Sequence, residues 1–345
     1  MSASTLDAWL QSYGASGDAT RIAIATTVRQ LANAALQVRK AIGEGALGAA
    51  FAGTRGNANS GGDVQKDLDV LADDLFLSAI REAPVAYYAS EELADPVTLN
   101  PDAPIALAID PLDGSSNIDT NVSIGTIFSI MPSTGNPSTT FLQPGRKQLG
   151  AGFFIFGPQF ALVLTLGSGT HVFVFSSRIG TFVQAYESLR ISQDAHEFAV
   201  NASNYRHWDE AVRLYIDDCF QGTDGPRAKD FNMRWIASLV ADTYRILIRG
   251  GVFLYPQDSR KGYRNGRLRL VYEANPIAMI VENAGGEATN GTATIMDLEP
   301  SDIHQRTALV FGSAREVEKI VRYHTDPSAI GSRHPLFGNR GLFRV

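Results

Sequence analysis

The stretch Ile105-Ala106-Leu107-Ala108-Ile109-Asp110-Pro111-Leu112-Asp113-Gly114-Ser115-Ser116-Asn117 decides how this chain is interpreted. Its apolar first part, residues 105–109, predicts a buried strand of a mainly parallel sheet. Pro111 cannot donate to a sheet's hydrogen-bond ladder and Gly114 permits a tight turn, so we expect the strand to end there. The carboxylates of Asp110 and Asp113 would then lie at the carboxyl end of a strand, where α/β folds place ligand sites.

The turn after this strand has the composition of a site for a metal ion and a phosphate group. Hard divalent cations such as Mg²⁺ prefer oxygen ligands, and Asp110 and Asp113 could both face one ion. Gly114, Ser115 and Ser116 offer backbone N–H groups and hydroxyls without bulky side chains, which suits a phosphate. An ordinary polar turn is the alternative, but the whole stretch in this context favours the metal–phosphate interpretation.

Composition limits the class of protein. The chain has 345 residues, of which 44% are hydrophobic and 19% charged, as expected for a globular protein of roughly two domains. Cys219 is its one cysteine, so no disulfide can form within the chain and a reducing compartment, the cytoplasm, is expected. We expect neither a signal peptide nor a membrane span. The net charge of −6 argues against nucleic-acid binding.

Hydrophobic periodicity predicts alternating helices and strands. A first helix covers residues 22–42 and stops at the glycines of 43–48, a Gly/Asn/Ser-rich loop covers 54–62, and a second helix covers 68–82. Further strands are predicted at 85–89, 122–131, 152–156, 160–165, 171–175, 251–255 and 308–312, and further helices at 211–220, 236–248, 276–283 and 316–324. We place a domain boundary near residue 190, which gives domains 1–190 and 191–326 and a tail, 327–345.

Acidic residues form four groupings along the chain: Asp63, Asp67 and Asp69; Glu91 and Glu92; Asp110 and Asp113; and Glu273. The second and third groupings directly follow predicted strands and could converge at one sheet edge. That many carboxylates in one cleft repel strongly unless cations neutralise them. Two or three Mg²⁺ ions would do so, and would also polarise a phosphoryl group and activate a water. For Asp67, Asp73 and Asp74 we predict an exposed helix surface instead.

Basic residues cluster just before Glu273, at Arg260, Lys261, Arg264, Arg267 and Arg269. Such a run is usually a solvated loop. A basic patch beside an acidic metal site is, however, what a substrate with two separated phosphates requires. Competing chemistries lack their motifs, because the histidines have no zinc spacing and neither a phosphate-binding GxxxxGK[ST] loop nor a GxSxG elbow occurs.

Several long motifs resemble class I fructose-1,6-bisphosphatase. They are residues 110–119 and 122–128, Leu142-Gln143-Pro144-Gly145-Arg146, residues 266–276, and Asp302-Ile303-His304-Gln305-Arg306. The resemblance implies a sugar-phosphatase fold, an α/β (α+β layered) architecture with alternating helix and sheet layers and mixed sheets. It also implies a cytoplasmic homo-oligomer, usually a homotetramer, that hydrolyses the 1-phosphate of a sugar bisphosphate, fructose 1,6-bisphosphate.

The resemblance also implies roles for individual residues. The metal ligands would be Glu91, Asp110, the main-chain carbonyl of Leu112, Asp113 and Glu273. Asp69 and Glu92 would orient and deprotonate the attacking water, and Asp63 would be a loop acid that closes over the site. The 1-phosphate would be held by Gly114, Ser115 and Ser116 beside Asp113, and the 6-phosphate by Asn201, Tyr255 and Arg267. Arg234 would reach into a neighbouring subunit's site.

The chain departs from the animal members of this family. Arg267 replaces a lysine, and Trp235 and Asn204 stand where tyrosines often contact the 6-phosphate. Residues 16–19 and Pro132 lack the features of the animal AMP site, so we expect weak or no inhibition by AMP, and micromolar inhibition would contradict this.

Alternatives to a fructose bisphosphatase are a dual enzyme that also takes sedoheptulose 1,7-bisphosphate, an inositol-phosphate phosphatase, and a non-catalytic sugar-phosphate sensor. Mg²⁺ is the expected cofactor, at two or three ions per subunit, with Mn²⁺ or Zn²⁺ possible, and the pathway is gluconeogenesis or a Calvin-type cycle.

Overall fold

Five layers of helices and sheets make up the fold. The computed structural model describes residues 4–52 and 63–326. Three N-terminal helices cover one face of a large sheet, two helices separate that sheet from a smaller one, and two more helices cover the smaller sheet's outer face. Each interface between layers is a continuous apolar core. The expected alternation of helix and sheet layers is therefore confirmed.

The large sheet has eight strands in the order β2-β1-β3-β4-β5-β6-β7-β8. They are β1 (Val85–Ser90), β2 (Val97–Thr98), β3 (Ile105–Asp113), β4 (Ile124–Pro132), β5 (Gly150–Phe156), β6 (Phe160–Thr165), β7 (Thr170–Ser176) and β8 (Thr181–Leu189). Six of these strands were predicted, whereas the two-residue strand β2 and β8, whose residues are mostly exposed or half-buried, were not.

The expectation of a mainly parallel sheet is wrong. Among the described strands of the large sheet, only β1 and β3 pair in parallel, and the other neighbours are antiparallel. The connection from β3 to β4 is too short for the helical crossover that a parallel pair requires. Nor does β3 stop at Pro111, because its pairing with β4 continues to Asp113 after a register irregularity between Asp110 and Asp113. Proline is tolerated at such a bulge because no ladder donor is needed there.

Three helices cover the outer face of the large sheet: α1 (Leu6–Gly14), α2 (Ala19–Ala52) and α3 (Asp63–Ile80). The predicted helix stop at residues 43–48 is wrong, since α2 continues to Ala52. A glycine costs only about 1 kcal/mol in a helix, and the alanines and leucine between these glycines favour continuation. The predicted loop at 54–62 and the tail at 327–345 lie outside the described residues.

The second half of the chain builds the smaller sheet, of order β10-β9-β11-β15-β13. Its strands are β9 (Glu197–Val200), β10 (Asn232–Met233), β11 (Val252–Tyr255), β13 (Glu287–Thr289) and β15 (Leu309–Gly312), and β12 (Leu268–Arg269) pairs with β14 (Arg306–Thr307). The helices of this half are α5 (Glu210–Phe220), α6 (Leu239–Arg249), α7 (Asn275–Asn283) and α8 (Ala314–Thr325), and the short α4 (Pro137–Thr140) lies between β4 and β5. The change of sheet falls between β8 and β9.

The outer layer, α5 with α8, encloses a buried polar cluster. The Arg227 guanidinium donates to both carboxylate oxygens of Glu316, at 2.7 and 2.6 Å, and both side chains are almost fully buried. Cys219 on α5 is 2% exposed, and burial raises the pKa of its thiol to about 11. The sequence predicts Cys219 as a buried residue of a helix, and this is confirmed. Among the described residues, the helices are too short or too polar to cross a membrane.

Candidate active site

Three carboxylates from different parts of the chain converge in an acidic triad, Asp110, Asp113 and Glu273. One ligand oxygen from each lies within 4.8 Å of the other two, and the residues are only 6, 6 and 7% exposed. The bulge at the end of β3 supplies the two aspartates. Three carboxylate oxygens held this close together inside the protein suit a hard divalent cation, which prefers oxygen ligands.

Glu273 is presented by an irregular segment of backbone. It lies in a π-helical turn, Leu270–Ala274, that leads directly into α7. The Arg269 backbone N–H donates to the Glu273 carboxylate, and all five residues of the turn are buried. π-helical turns are rare in proteins overall, but those that occur are often found at functional sites. The turn thus places the Glu273 carboxylate next to β3, although Glu273 is distant from β3 in the sequence.

The N-terminus of α6 contacts the acidic triad from the second half of the chain. The Val240 backbone N–H donates to the Asp113 carboxylate at 3.1 Å, beside the helix-capping residue Ser238. The Asn117 amide donates to the Ala237 carbonyl at 2.7 Å, which ties the turn after β3 to the start of α6. Gly114 has φ +76°, a left-handed conformation that glycine adopts without strain.

Burial and nearby negative charge make the ionised form of the three triad carboxyl groups unfavourable. Burial and the nearby charge of Glu91 raise the pKa of Asp110 and Glu273 well above the usual range. Burial raises the pKa of Asp113 to about 7, although its hydrogen bond from Val240 lowers it. Desolvation and like charge both favour the protonated carboxyl. A bound divalent cation would remove this penalty, so the donor set fits one.

Glu91 lies near the triad but is not part of it. Its carboxylate accepts from Arg269 Nε at 3.0 Å, and the same guanidinium donates to the His304 carbonyl at 3.0 Å. Arg269, predicted as part of a phosphate-binding patch, therefore lies among the site's acids instead. In the sequence, the sign that Arg269 would lie among these acids was that it precedes Glu273 by four residues.

Asp69 and Glu92 are brought together beside the turn. Burial and the adjacent charge of Glu92 raise the pKa of Asp69 to about 6, while a hydrogen bond with Ser115 lowers it. Glu92 follows β1, and Glu91 N–H donates to the Ile109 carbonyl of β3 at 3.1 Å. Because β1 and β3 are parallel, their carboxyl ends share one edge, as expected from the sequence.

The remaining acids of α3 match the expectations only in part. Asp63 is the first residue of α3 and so does not lie in the predicted loop; its side chain, like that of Asp67, lies outside the described residues. Asp74 is exposed as predicted. The prediction of an exposed Asp73 is wrong, because it is 5% exposed and accepts a hydrogen bond from Tyr88. Its position, one turn after Asp69 on the same helix face, was the available signal.

A second site, the basic pocket, lies in the C-terminal half. It is a small pocket lined by residues that include Asn201, Asn204, Tyr255, Arg260, Tyr263 and Arg267. Two guanidinium groups lie over the ring of Tyr263, Arg260 at 4.3 Å and Arg267 at 4.8 Å from its centroid. Arg260 is also paired with Asp258. All three residues predicted to bind the 6-phosphate therefore line one pocket.

Other predicted site residues do not line this pocket. Arg234 is exposed beyond β10, with its Nε 3.9 Å from Glu197. Trp235 stacks on Phe253, with ring centroids 5.6 Å apart, and its ring centroid lies 5.9 Å from that of Tyr255, so it packs against the core next to the pocket. At the other site, Leu112 is buried, Ser116 is exposed, and Leu112 N–H donates to Asp110 at 3.1 Å.

Comparison with known proteins identifies close relatives along the whole chain. The family models described as fructose-1-6-bisphosphatase N-terminal domain and C-terminal domain match residues 8–187 and 191–325. A protein of Rhizobium meliloti (strain 1021) named fructose-1,6-bisphosphatase class 1 is 64% identical over 349 residues, covering 100% of both chains. A protein of the same name from Azorhizobium caulinodans is 53% identical and covers 94% of this chain and 100% of its own. The crystal structure of Leishmania major fructose-1,6-bisphosphatase in holo form superposes with a TM-score of 0.80 at 29% identity, covering 94% and 99% of the two chains.

Proposed function

The chain belongs to the class 1 fructose-1,6-bisphosphatase family, and from this membership we propose how its residues divide the work of the reaction. The reaction is hydrolysis of fructose 1,6-bisphosphate to fructose 6-phosphate and phosphate. The observation that carries the proposal is the buried acidic triad at the end of β3, whose carboxylates all have raised pKa values.

The family uses a divalent metal cofactor, and we propose Mg²⁺, at two or three ions per subunit, with Mn²⁺ or Zn²⁺ as possible substitutes. Asp110, Asp113 and Glu273 would hold it, with Glu91 and the Leu112 carbonyl as further ligands. A bound ion supplies charge neutralisation and Lewis-acid polarisation of the phosphoryl oxygens. Glu91 would exchange its pairing with Arg269 for the metal.

Asp69 and Glu92 act on the attacking water in this proposal. Asp69 accepts from Ser115 and has a pKa of about 6, so near neutral pH it is poised between its two protonation states. Glu92 lies beside it and is exposed to solvent. Together they orient the water and take its proton, while Asp63 closes over the site. Ser115, Ser116 and Gly114 bind the 1-phosphate through backbone N–H groups and hydroxyls.

The basic pocket binds the 6-phosphate. Asn201, Tyr255 and Arg267 line it together, and Arg260 adds a cation that the sequence comparison with the family did not single out. A remote phosphate held here fixes the sugar so that binding energy orients the 1-phosphate. We also propose a cytoplasmic homotetramer in which Arg234 contacts a neighbouring site, and two domains, 1–190 and 191–326, that contribute the metal end and the 6-phosphate end.

Phosphate release tests this proposal directly. We would assay fructose 1,6-bisphosphate, sedoheptulose 1,7-bisphosphate and inositol 1-phosphate, with Mg²⁺ and with EDTA. Metal-dependent release from fructose 1,6-bisphosphate is expected, and comparable release from the seven-carbon sugar would extend the function to a dual bisphosphatase. Preferred release from inositol 1-phosphate that is insensitive to Arg267→Glu would contradict it. Absence of release from all three by folded, Mg²⁺-loaded protein would favour a sensor.

A further inference from the structure

The buried carboxylate of Asp73 has no part in the roles described so far. Asp73 is 5% exposed and lies four residues after Asp69 on α3, so that both side chains project from the same helix face. A buried carboxylate is costly unless it is hydrogen-bonded. Its partners therefore indicate what the fold gains by keeping it.

A hydroxyl group of β1 satisfies this carboxylate. The Tyr88 hydroxyl donates to Asp73 Oδ1 at 2.6 Å, and the Ser90 hydroxyl lies beside the same carboxyl and lowers its pKa, which burial raises. Tyr88 and Ser90 are fully buried. Removing Asp73 would leave the buried Tyr88 hydroxyl without its acceptor, at a cost of about 1–3 kcal/mol for the unsatisfied group.

Ser90 extends these contacts to the candidate catalytic pair. Its Oγ accepts from the Glu92 backbone N–H at 3.2 Å. A serine hydroxyl has one proton and two lone pairs, so it can donate to Asp73 while it accepts from Glu92. Asp73 on α3 is thus bonded to Tyr88 of β1 and lies beside Ser90, which in turn binds the backbone of Glu92.

The spacing of these contacts matches the two elements. Four residues of helix advance about 6 Å, and two residues of strand advance about 6.6 Å. Asp73 meets Ser90, and Asp69 lies beside Glu92, two strand residues further toward the site. The Asp73 contact is therefore one helical turn deeper than the Asp69 contact and opposes sliding of α3 along β1.

We propose that Asp73 is a positioning residue that, through Tyr88 and Ser90, fixes α3 against the end of β1 and so holds the Asp69 carboxylate at Glu92. The inference rests on the proposed roles of Asp69 and Glu92. It predicts a loss in kcat with little change in KM, because the residues of the basic pocket lie on other elements. A displacement of about 1 Å at reacting groups costs about 100-fold in rate.

Single variants test the hydrogen bonds. Asp73→Leu removes the acceptor at similar size, and we expect kcat to fall by about 30- to 100-fold with KM within threefold. Asp73→Asn keeps an oxygen for Tyr88 and should recover most of this loss. Asp74→Leu and Asp74→Asn are the matched controls on the neighbouring exposed acid and should leave kcat unchanged. Wild-type kcat in Asp73→Leu would overturn the inference.

A double-mutant cycle separates positioning from general destabilisation. If Asp73 acts through Asp69, then the double variant Asp69→Asn/Asp73→Leu should be no slower than Asp69→Asn alone, within about threefold. Multiplicative losses would mean that Asp73 only stabilises the fold, and would overturn the inference while the role of Asp69 stands. Near-normal kcat in Asp69→Asn would overturn that role, and the inference with it.

A milder variant covers the case in which Asp73→Leu does not fold. Ser90→Ala removes the hydroxyl that accepts from the Glu92 N–H and lies beside Asp73, but it keeps the hydrogen bond between Tyr88 and Asp73, and we expect about a tenfold loss of kcat with an unchanged KM. Wild-type kcat in well-folded Ser90→Ala would overturn the inference.

Discussion

The acidic triad and the basic pocket are built by opposite means. The triad is buried, carries like charges, and is formed largely by one short stretch at the end of β3 with Glu273 added from a π-helical turn. The basic pocket is partly open, and its side chains come from residues 201–267. Its cations lie over the Tyr263 ring, and Arg260 pairs with Asp258. The triad thus opposes folding until a cation binds, whereas the pocket carries little such cost.

This difference predicts which kinetic or thermodynamic quantity each region controls. Groups at the acidic end act on charge that develops during reaction, so their loss should lower kcat. Groups in the basic pocket bind a phosphate that does not react, so their loss should mainly raise KM. Only the acidic end should make stability depend on both pH and metal.

Glu92→Gln should have the largest effect, because it removes the proton acceptor at the acidic end and leaves its shape. We expect kcat to fall by about 10²- to 10⁴-fold, the usual contribution of general acid–base catalysis, with KM nearly unchanged. Steady-state kinetics with saturating Mg²⁺ measures this, and Glu82→Gln, at an exposed glutamate in the turn before β1, is the control. Near-normal kcat would remove Glu92 from the mechanism.

Arg267→Ala should affect the opposite parameter. A hydrogen bond to a charged group contributes about 1.5–3 kcal/mol, so KM should rise by about 10- to 150-fold while kcat changes less than threefold. Arg267→Lys keeps the charge and should show a smaller change. Arg264→Ala, an exposed arginine of the same loop that does not line the pocket, is the control. A dominant effect on kcat would break the division between the two regions.

The pH dependence of stability tests the stress in the triad. Asp113 has a folded-state pKa of about 7, above the value of about 3.9 for an unfolded chain. A carboxyl group whose pKa is higher in the folded than in the unfolded state stabilises the fold at pH values below its unfolded-state pKa. This stability is lost as the pH rises through the folded-state pKa. In EDTA, Tm should therefore fall by several degrees between pH 4 and pH 8, and Mg²⁺ at pH 8 should restore it.

Asp113→Asn isolates this effect, since the amide cannot ionise and its oxygen can still accept from Val240. Its Tm in EDTA should fall less steeply with pH than that of the wild-type protein. Parallel Tm curves for the two proteins would show that Asp113 is not stressed in the folded state.

Arg234→Ala should give the smallest change. If a neighbouring subunit's site uses this exposed guanidinium, KM should rise a few-fold with kcat unchanged, in a preparation whose oligomeric state is checked by light scattering. Arg178→Ala, another exposed arginine, should be silent. An unchanged KM would confine each binding pocket to residues of its own chain.

The contiguous parts of the site were predictable from sequence because their chemistry and their geometry lie in one stretch. The turn at 110–117 and the carboxylates after β1 and β3 were expected at one edge, and they are. The parallel pairing of β1 and β3 is sufficient for this, even though the rest of the sheet is antiparallel. The motif at the strand end mattered more than the overall direction of the strands.

Other features depend on contacts that no local pattern encodes. The burial of Asp73 follows from hydroxyls on β1, and the capture of Glu91 by Arg269 follows from the packing of the π-helical turn against β3. The continuation of α2 through Gly43 and Gly45 depends on a small propensity cost set against neighbouring alanines. In each case a few kcal/mol of tertiary or local context outweighs the residue's usual preference.

The buried thiol of Cys219 on α5 can report how often the outer layer, α5 with α8, opens. Alkylating reagents react with the thiolate, and Cys219 is both enclosed and shifted toward the thiol form by its raised pKa. Its modification therefore requires α5 and α8 to separate, so the labelling rate measures how often this layer opens. Comparing the labelling rate with and without Mg²⁺ shows how far cation binding at the acidic triad reduces the opening of the α5–α8 layer. The experiment needs no engineered label.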